Sequence, residues 1–413
     1  MRRLIFLIIL LTLLVINCSK KSAPTNIDPN HSQDNSSLID IQKLSDANRQ
    51  FSLELFEQAN LDEPNENIVI SPLSLSIVLG IVYNAALGTT LEEVAQTARY
   101  DDFSLDELNI TYKALIQELQ TLEPGLQLLL ANSLWILNGY PIYDAFIQRI
   151  QNYYDAEAYN TPFDQTTIDQ INQWVEEHTN GMITDLLESI SEYDVMFAIN
   201  AIAFKGDWKY AFDEDNTELF SFRNYNGALS VIPFMSLPVE TFQYYIEDSF
   251  IASRLPYSGD EITLYVFCPK DNAAFNAFIN ELTLENITQW LDSFDYLTDE
   301  QLGAHPSNIM IPKFSYEYSK KLNYILDNMG MILPFDALKA NFGNMTSNSP
   351  YIDYILQKTY IELSEEGTSA AAATNVCWAE GSGFYFNVNH PFVFMIYDHR
   401  TESILFLGKI VEL

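Results

Sequence analysis

One segment near the C-terminus constrains the fold of this chain more than any other feature. Residues 360–363 alternate as in a strand, and Glu365, Glu366 and Gly367 end that pattern. Residues 368–374, with the sequence TSAAAAT, are all small or hydroxylated. Alanine is a poor strand former, but a segment without large side chains can enter a packed sheet without overpacking it. The pattern predicts a segment that is exposed in one state and inserted as a strand in another.

Strand alternation would divide the side chains of this segment between two faces. One face would carry Thr368, Ala370, Ala372, Thr374, Val376 and Trp378. The other would carry Ser369, Ala371, Ala373, Asn375, Cys377 and Ala379. We expect Trp378 and Cys377 to be exposed before insertion. Afterwards Trp378 should turn inward, whereas Cys377 should stay at the sheet surface.

The rest of the chain divides into a helical half and a strand-rich half. Apolar residues recur at helical spacing in residues 48–59, 74–86 and 104–122. After residue 200 the pattern changes to period two, as in the three segments 263–268, 309–314 and 392–397. Helices followed by strands predict an α+β fold rather than a parallel α/β fold, and the absence of a second linker predicts one domain over residues 46–413.

The N-terminus has the layout of an export signal. Arg2 and Arg3 precede an apolar run over residues 4–16, which is too short to span a bilayer. The run ends on Asn17 and Cys18. An apolar segment that ends directly on a cysteine resembles a bacterial lipobox, although Asn17 departs from the usual small residue.

We therefore expect residues 1–17 to be a signal peptide and Cys18 to be lipidated. The polar residues 18–45 would form a flexible tether, because they offer almost nothing to bury. This predicts an exported protein, held by lipid in the bacterial outer membrane on its periplasmic or surface side. Secretion without a lipid is the alternative.

Charge and residue spacing exclude several functions. The formal net charge of −35 disfavours binding of nucleic acids and anionic polysaccharides. Cys268 lies in an apolar run that predicts burial, and neither it nor Cys377 has the spacing of a disulfide framework or a metal site. No Ser, His and Asp occur at a recognisable catalytic spacing, and the five histidines are scattered: His31, His178, His305, His390 and His399. We expect no metal, no cofactor and no enzymatic activity.

The alanine-rich segment resembles the reactive-loop hinge of inhibitory serpins. The matching residues are Glu365, Glu366, Gly367, Thr368, Ser369, Ala370, Ala371, Ala372, Ala373 and Thr374. Further similarity extends over the predicted domain, at residues 67–74 (NIVISPLS), 171–175 (INQWV), 179–181 (TNG), 255–257 (LPY), 312–314 (PKF), 389–394 (NHPFVF) and 404–409 (ILFLGK).

This resemblance implies three β-sheets covered by eight to nine helices, with an exposed reactive loop. It also implies inhibition of a serine-type or cysteine-type endopeptidase by a covalent complex in which the cleaved loop inserts into the central sheet. We expect a monomer whose partner is the target endopeptidase. The alternative is a non-inhibitory binding module of the same fold, although such members usually carry bulky or charged hinge residues.

The resemblance also points to residues that control opening of the sheet. Asn67, Ser71 and Ser74 match the shutter region, where hydrogen bonds hold the central strands together. Ser71 before Pro72 is equally typical of an ordinary helix cap. Gln357 stands where the family often has histidine, and glutamine can both donate and accept hydrogen bonds without titrating. We therefore expect the network to persist without pH sensitivity at this position.

The position of the scissile bond stays open between neighbouring residues. Counting from the hinge places its acyl side at Gly381, before Ser382, whereas counting back from Pro391 favours Glu380. Ala379 or Trp378 would suit other protease specificities. The region that binds heparin in some serpins, residues 90–122, is acidic here, which argues against a polyanion cofactor.

Overall fold

The computed structural model describes residues 31–302, 308–348, 350–365 and 386–413, and the side chains of residues 31–40, 299 and 300 are left aside. Its helices are α1 (His31–Asp62), α2 (Pro72–Ala85), α3 (Thr89–Thr97), α4 (Leu105–Gln120), α5 (Asp144–Tyr154), α6 (Gln165–His178), α7 (Asn272–Glu281), α8 (Leu284–Leu291), α9 (Asp299–Leu302) and α10 (Asn323–Asn328). None of these helices is long and apolar enough to cross a membrane.

The strands form three sheets. The six-stranded sheet has the order β1 (Ile68–Ile70), β15 (Ser403–Ile410), β14 (Phe392–Asp398), β9 (Ile262–Pro269), β8 (Phe250–Pro256) and β7 (Gln243–Ile246). The five-stranded sheet has the order β11 (Phe314–Lys321), β12 (Tyr354–Leu363), β4 (Met196–Gly206), β2 (Leu126–Leu137) and β3 (Glu157–Thr161). The four-stranded sheet has the order β13 (Phe386–Asn387), β10 (Asn308–Pro312), β6 (Leu229–Pro238) and β5 (Glu218–Arg223).

The predicted α+β class and three-sheet architecture are confirmed. Nine helices of six residues or more lie in the described part of the chain. Local sequence explains several of their ends. Ser104 and Glu107, for example, form a reciprocal capping box that starts α4, in which each side chain satisfies a backbone N–H that the helix leaves unpaired.

The five-stranded sheet is buried on both faces, as β4 shows most clearly. Alternate residues of β4 belong to a cluster under α6: Phe197, Ile199, Ala201 and Ala203. The intervening residues belong to the main core on the opposite side: Met196, Ala198, Ile202 and Phe204. The largely apolar sequence of this strand is therefore a consequence of burial on two sides.

Helix α2 passes through the main core. Every residue from Pro72 to Ala85 is buried. A helix that is apolar on all sides has no solvent face, so it must be surrounded by other elements. This position brings the start of α2 behind the centre of the five-stranded sheet.

The segment 309–314, predicted as one strand, is two strands in two sheets. β10 pairs with β6 as far as Pro312, and β11 begins its pairing with β12 at Phe314. Lys313 is the single residue between them, and its N–H donates to the carbonyl of Pro233. β10 is buried almost throughout and β11 alternates. Neither pattern shows which strand lies beside it, so the sequence does not reveal the change of sheet.

The predicted tether ends earlier than residue 45. Helix α1 begins at His31, and Leu44 is fully buried in the main core. Ser45 is also buried, and its hydroxyl donates to the carbonyl of Thr401 at 2.5 Å. The boundary between tether and domain therefore lies within α1, before Leu44.

Candidate functional site

The central feature of the site is the boundary between β12 and β4, which we call the seam. These two strands pair in parallel from Tyr354 opposite Phe197 to Ile361 opposite Phe204. Their outer neighbours, β11 and β2, are antiparallel to them. The seam is therefore the place where an additional strand could enter and run antiparallel to both neighbours.

A row of three amides crosses the seam on the face that is turned to the main core and α2. Gln357, Asn200 and Asn132 are register partners on β12, β4 and β2. Gln357 Nε2 donates to Asn200 Oδ1 at 2.8 Å, and Asn200 Nδ2 donates to Asn132 Oδ1 at 2.8 Å. All three side chains lie in the interior, where an unpaired amide would be costly. The row therefore stabilises the closed arrangement of the strands.

The start of α2 completes this network from behind the sheet. Gln357 Oε1 accepts from the Ser71 N–H at 3.1 Å, and Gln357 Nε2 donates to the Ser71 carbonyl at 2.9 Å. Asn200 Nδ2 donates to the Ser74 hydroxyl. Gln357 thus both donates and accepts, as expected from its side chain, and none of these groups titrates near neutral pH.

Two sequence-based assignments need correction. Asn67 is outside the network, because its side chain instead bonds the backbone of Val411 and Glu412 near the C-terminus. Ser71 is at the N-cap position of α2, but its hydroxyl makes no cap and donates to the Leu405 carbonyl at 2.6 Å. The two residues flank β1: Ser71 ties it to β15, and Asn67 ties it to the residues that follow β15. Sequence position alone cannot show which backbone each side chain reaches.

The sequence analysis did not assign Asn132, Asn200 or Thr359 to this network. The Thr359 hydroxyl donates to the Val69 carbonyl at 2.6 Å, which ties β12 to β1. Asn132 and Asn200 each lie in a strand that is otherwise largely apolar at its centre. A lone amide in such a strand predicts a buried hydrogen-bond partner, and this signal could have identified the pair.

The opposite face of the seam is covered by α6 and the segment that follows it. Ile183, Leu186 and Leu187 pack in one cluster with apolar residues of β4 and β12. Lys358 of β12 donates to the carbonyl of Thr184 at 2.7 Å and forms an ion pair with Glu317. A strand could enter the seam only if this cover moved away from the sheet.

Aromatic side chains clamp the lower end of the seam. Tyr354 and Phe197 stack with their ring centroids 4.5 Å apart. Phe163 stacks on the other side of Phe197 at 4.6 Å, and the Lys321 ammonium lies 4.0 Å from the centre of the Tyr354 ring. Because Tyr354 and Phe197 are on opposite sides of the seam, separation of the strands must break their contact.

The upper end of β12 is fixed by Glu365. This buried carboxylate pairs with the Lys313 ammonium at 2.5 Å and accepts from the Thr217 hydroxyl at 2.6 Å. Burial by itself would raise the pKa of Glu365, but the contacts with Lys313 and Thr217 outweigh it and hold the pKa below its ordinary value. Beside it, Trp208 Nε1 donates to the Ser364 carbonyl at 2.8 Å.

Several predicted site residues lie outside the described residues. They are Cys18, the hinge residues Glu366, Gly367, Thr368, Ser369, Ala370, Ala371, Ala372, Ala373 and Thr374, the loop residues Cys377 and Trp378, and the candidate bond residues Glu380, Gly381 and Ser382. The described chain stops at Glu365, next to the upper end of β12, and resumes at Phe386 in β13.

Other reactive groups do not form a second centre in the described ranges. Cys268 is buried as predicted, and burial raises the pKa of its thiol to about 12. Burial also lowers the pKa of His390, whose Nε2 lies 2.6 Å from the Pro269 carbonyl. Across the described residues no three His, Cys, Asp or Glu side chains are grouped so that they could hold a metal ion.

Comparisons with known proteins agree with this geometry. A family model described as "Serpin (serine protease inhibitor)" matches residues 46–413. An uncharacterized serpin-like protein of Methanosarcina mazei is 31% identical over 425 residues, covering 99% of this chain and 97% of the relative. The native structure of Tengpin, a thermophilic serpin, has 30% identity and a TM-score of 0.78, covering 95% of this chain and 96% of that one. Human thyroxine-binding globulin has the same fold at 23% identity and a TM-score of 0.81, over 90% and 99% of the two chains.

Proposed function

Because this chain belongs to the serpin family, we propose that it inhibits serine-type, or cysteine-type, endopeptidases by trapping them as acyl-enzymes. The observation that carries this proposal is the closed parallel seam, in which β12 leads directly into residues 366–385. A strand that turned back from β12 into the seam would be antiparallel to both neighbours. It would replace one parallel ladder by two antiparallel ladders, which are the more stable kind per residue.

The proposed chemistry belongs to the protease and uses this chain as its substrate. The protease nucleophile attacks the carbonyl carbon of the scissile bond, its proton passes through the enzyme's general base to the departing amine, and the acyl-enzyme remains. We place that bond in the window of Glu380, Gly381 and Ser382. Cleavage frees residues on the hinge side to enter the seam while the enzyme is still attached.

Inhibition then becomes a race between insertion and hydrolysis of the acyl-enzyme. Insertion must separate Gln357 from Asn200, break the stack of Tyr354 on Phe197, and displace the cover that includes α6. The small side chains of residues 368–374 would enter without overpacking. Slow opening of the seam would instead release cleaved inhibitor and free protease.

The decisive experiment is to mix the purified protein with endopeptidases of different specificity and to analyse the products under denaturing conditions. A covalent inhibitor gives a band that survives SDS and has the mass of protease plus the hinge-side fragment. Mass spectrometry of the released C-terminal peptide identifies the scissile bond. If every protease that cleaves residues 366–385 does so without forming such a band, the inhibitory function is wrong.

The alternative is a non-enzymatic binding module with the same fold. Its support is that human thyroxine-binding globulin, which shares this fold, was crystallised with thyroxine. The hinge sequence favours inhibition, because it has no bulky side chain among residues 368–374. A binding module would be cleaved without forming a covalent band and would gain no thermal stability on cleavage.

We further propose that the protein is exported and anchored by lipid at Cys18 in the bacterial cell envelope. The support is the apolar run that ends directly on this cysteine. Cys18→Ala should move the protein from the membrane fraction to a soluble exported fraction, whereas Ser19→Ala should not. Membrane retention of the Cys18→Ala variant would show that another segment is the anchor.

A further inference from the structure

The four-stranded sheet has an apolar patch on its solvent face. Leu219 of β5 is 71% exposed, and Leu229 and Val231 of β6 are 63% and 65% exposed. Leu219 is directly opposite Pro233, and Val231 and Leu229 lie two and four positions from Pro233 along β6. Because side chains two positions apart share a face, all three point to the same side of the sheet. We call these three residues the outer patch.

The other face of the same two strands lies in the main core. Phe222 and Phe234 are fully buried there, and Phe220 meets Phe234 edge to face with ring centroids 5.6 Å apart. A strand with one face in the core usually carries polar side chains on the other. The outer patch is therefore not needed to build the sheet.

The three side chains of the outer patch form one continuous surface. Leu219 and Val231 are diagonal neighbours across the strand pair, and Val231 and Leu229 are two residues apart, so each lies about 7 Å from the next. Single exposed apolar residues are common, but a contiguous group is typical of a surface that another molecule covers. Within the described residues, no element covers the outer patch.

Both ends of residues 366–385 are attached to the sheet that carries this patch. Glu365, at the start, accepts a hydrogen bond from Thr217, which lies two residues before Leu219. Phe386, at the end, pairs with Ile309 of β10 in the same sheet. The outer patch thus extends from about 7 Å to about 20 Å from Thr217 along the strands. A specific interface buries about 800 Å² on each partner, which is a surface about 30 Å across, so a protein bound to this loop reaches the patch.

The charge of the chain indicates which kind of protein covers the patch. A second copy carries the same net charge of −35, so electrostatic repulsion opposes pairing of two copies. Glu214 and Asp215 are exposed immediately before β5, beside the patch. A partner with a basic surface is attracted to this region instead.

We propose that the outer patch is a second docking surface for the target endopeptidase, in addition to the loop that the enzyme cleaves. The enzyme that fits has an apolar area beside its substrate cleft, surrounded by basic side chains. This inference rests on the proposed function, because it takes residues 366–385 as the segment that the enzyme attacks. The outer patch then helps to select the enzyme, since a protease that recognises only the loop sequence gains nothing from it.

The test compares the rates at which a cleaving protease consumes wild type and a patch variant. Leu219→Gln combined with Val231→Thr removes apolar surface without changing residues 366–385. We expect the second-order rate constant for loss of intact chain to fall about tenfold, as for the loss of two modest interface contacts. The thermal midpoint and the fraction trapped as covalent complex should stay unchanged, because both side chains are exposed and lie outside the seam. The wild-type rate should also fall as salt is added, because opposite charges attract less.

The matched control is Leu61→Gln combined with Ile110→Thr, at two exposed positions on helices α1 and α4. It makes the same change of polarity elsewhere and should leave the rate constant unchanged. Loss of intact chain is measured whether the cleaved loop ends in a covalent complex or in free product. Cleavage without a covalent band therefore contradicts the proposed inhibition alone, and the effect of the patch variant on the rate is still measured.

Two outcomes contradict the docking surface itself. In the first, the patch variant and wild type are consumed at the same rate by every protease that cleaves the loop. In the second, sedimentation shows that wild type forms dimers that the patch variant does not form, while the rate constants agree; the outer patch is then a contact between copies of this chain. If no protease cleaves residues 366–385, both the proposed function and this inference are wrong.

Discussion

Gln357 on β12 and Asn200 on β4 face each other across the seam, and a 2.8 Å hydrogen bond joins Gln357 Nε2 to Asn200 Oδ1. The bond lies in the interior and is extended to Asn132 on one side and to Ser71 on the other. Opening of the sheet therefore has to unpair several buried polar groups at once. This relationship links the stability of the intact protein to the rate of loop insertion.

Gln357→Leu should destabilise the intact protein. It leaves the side-chain oxygen Oδ1 of Asn200 and the backbone N–H of Ser71 without their partner, at a cost of about 1–3 kcal/mol for each buried group. We expect a lower thermal midpoint and faster spontaneous conversion to a heat-resistant or polymeric form on native gels. Gln50→Leu, at an exposed position on α1, is the control. Equal behaviour of the two variants would mean that the amide row does not hold the seam.

Tyr354→Leu should loosen the lower end of the seam. It removes the stack on Phe197 and the contact with Lys321, which together contribute about 1–2 kcal/mol. The Tyr354 hydroxyl has no partner in the described chain, so its loss leaves no polar group unpaired. We expect a lower thermal midpoint of the intact protein, together with more covalent complex per cleaved loop because insertion is faster. Tyr296→Leu, at an exposed position, should alter neither the thermal midpoint nor the yield of covalent complex. If Tyr354→Leu forms the same amount of covalent complex per cleaved loop as wild type, the stack on Phe197 does not limit insertion.

Glu365→Gln should free the upper end of β12. Lys313 is partly exposed and can be solvated after the change, so the free energy of unfolding should fall by about 1 kcal/mol, as for a solvent-screened ion pair. The folded-state pKa of Glu365 is lowered, so its stabilising effect is present above the unfolded pKa and is lost as the pH falls through the folded pKa. The difference in thermal midpoint between wild type and variant should thus be full at pH 7, begin to shrink near the unfolded pKa of about 4.3, and disappear only below the lower pKa of the folded state. Glu188→Gln, at an exposed position, controls for general charge effects.

Thr368→Arg should convert the inhibitor into a substrate. If residue 368 enters the seam first, an arginine there would place a charge within the sheet, which costs several kcal/mol unless it is paired. We expect cleavage by the target protease with little or no SDS-stable band. Ser369→Arg, predicted to face the sheet surface, should retain more of the covalent complex. If Ser369→Arg abolished the covalent complex and Thr368→Arg retained it, the proposed insertion register would be wrong by one residue.

His399 should make the protein less stable in mild acid. Burial lowers its pKa to about 4, with a further contribution from Arg254. The unfolded chain, with a pKa near 6.5, takes up a proton that the folded state does not, so stability is lost as the pH falls from about 6.5 towards 4. Between pH 7 and pH 5 this amounts to about 2 kcal/mol. In His399→Gln the fall in thermal midpoint over that range should be smaller, and an identical fall would show that His399 is not the titrating group.

The sequence alone determined the α+β class and the family resemblance. It did so because the evidence is local: the hinge residues, the period of the apolar residues and the short motifs can all be identified without knowing what they contact. It also identified Gln357, Ser71 and Ser74 as members of one polar network. In the structure Gln357 bonds the backbone of Ser71, and Ser74 is joined to Gln357 through Asn200.

Only the tertiary structure decided which groups complete the network and which do not. Asn200 and Asn132 join Gln357 because three strands distant in sequence are aligned in register, whereas Asn67 is turned to the C-terminal strand end. The change of sheet at Lys313 and the stack of Tyr354 on Phe197 likewise depend on pairing between distant segments. A side-chain pattern of period two records that a strand has two faces. It does not record which strand lies beside it, and the mechanism proposed for this protein depends on that neighbour.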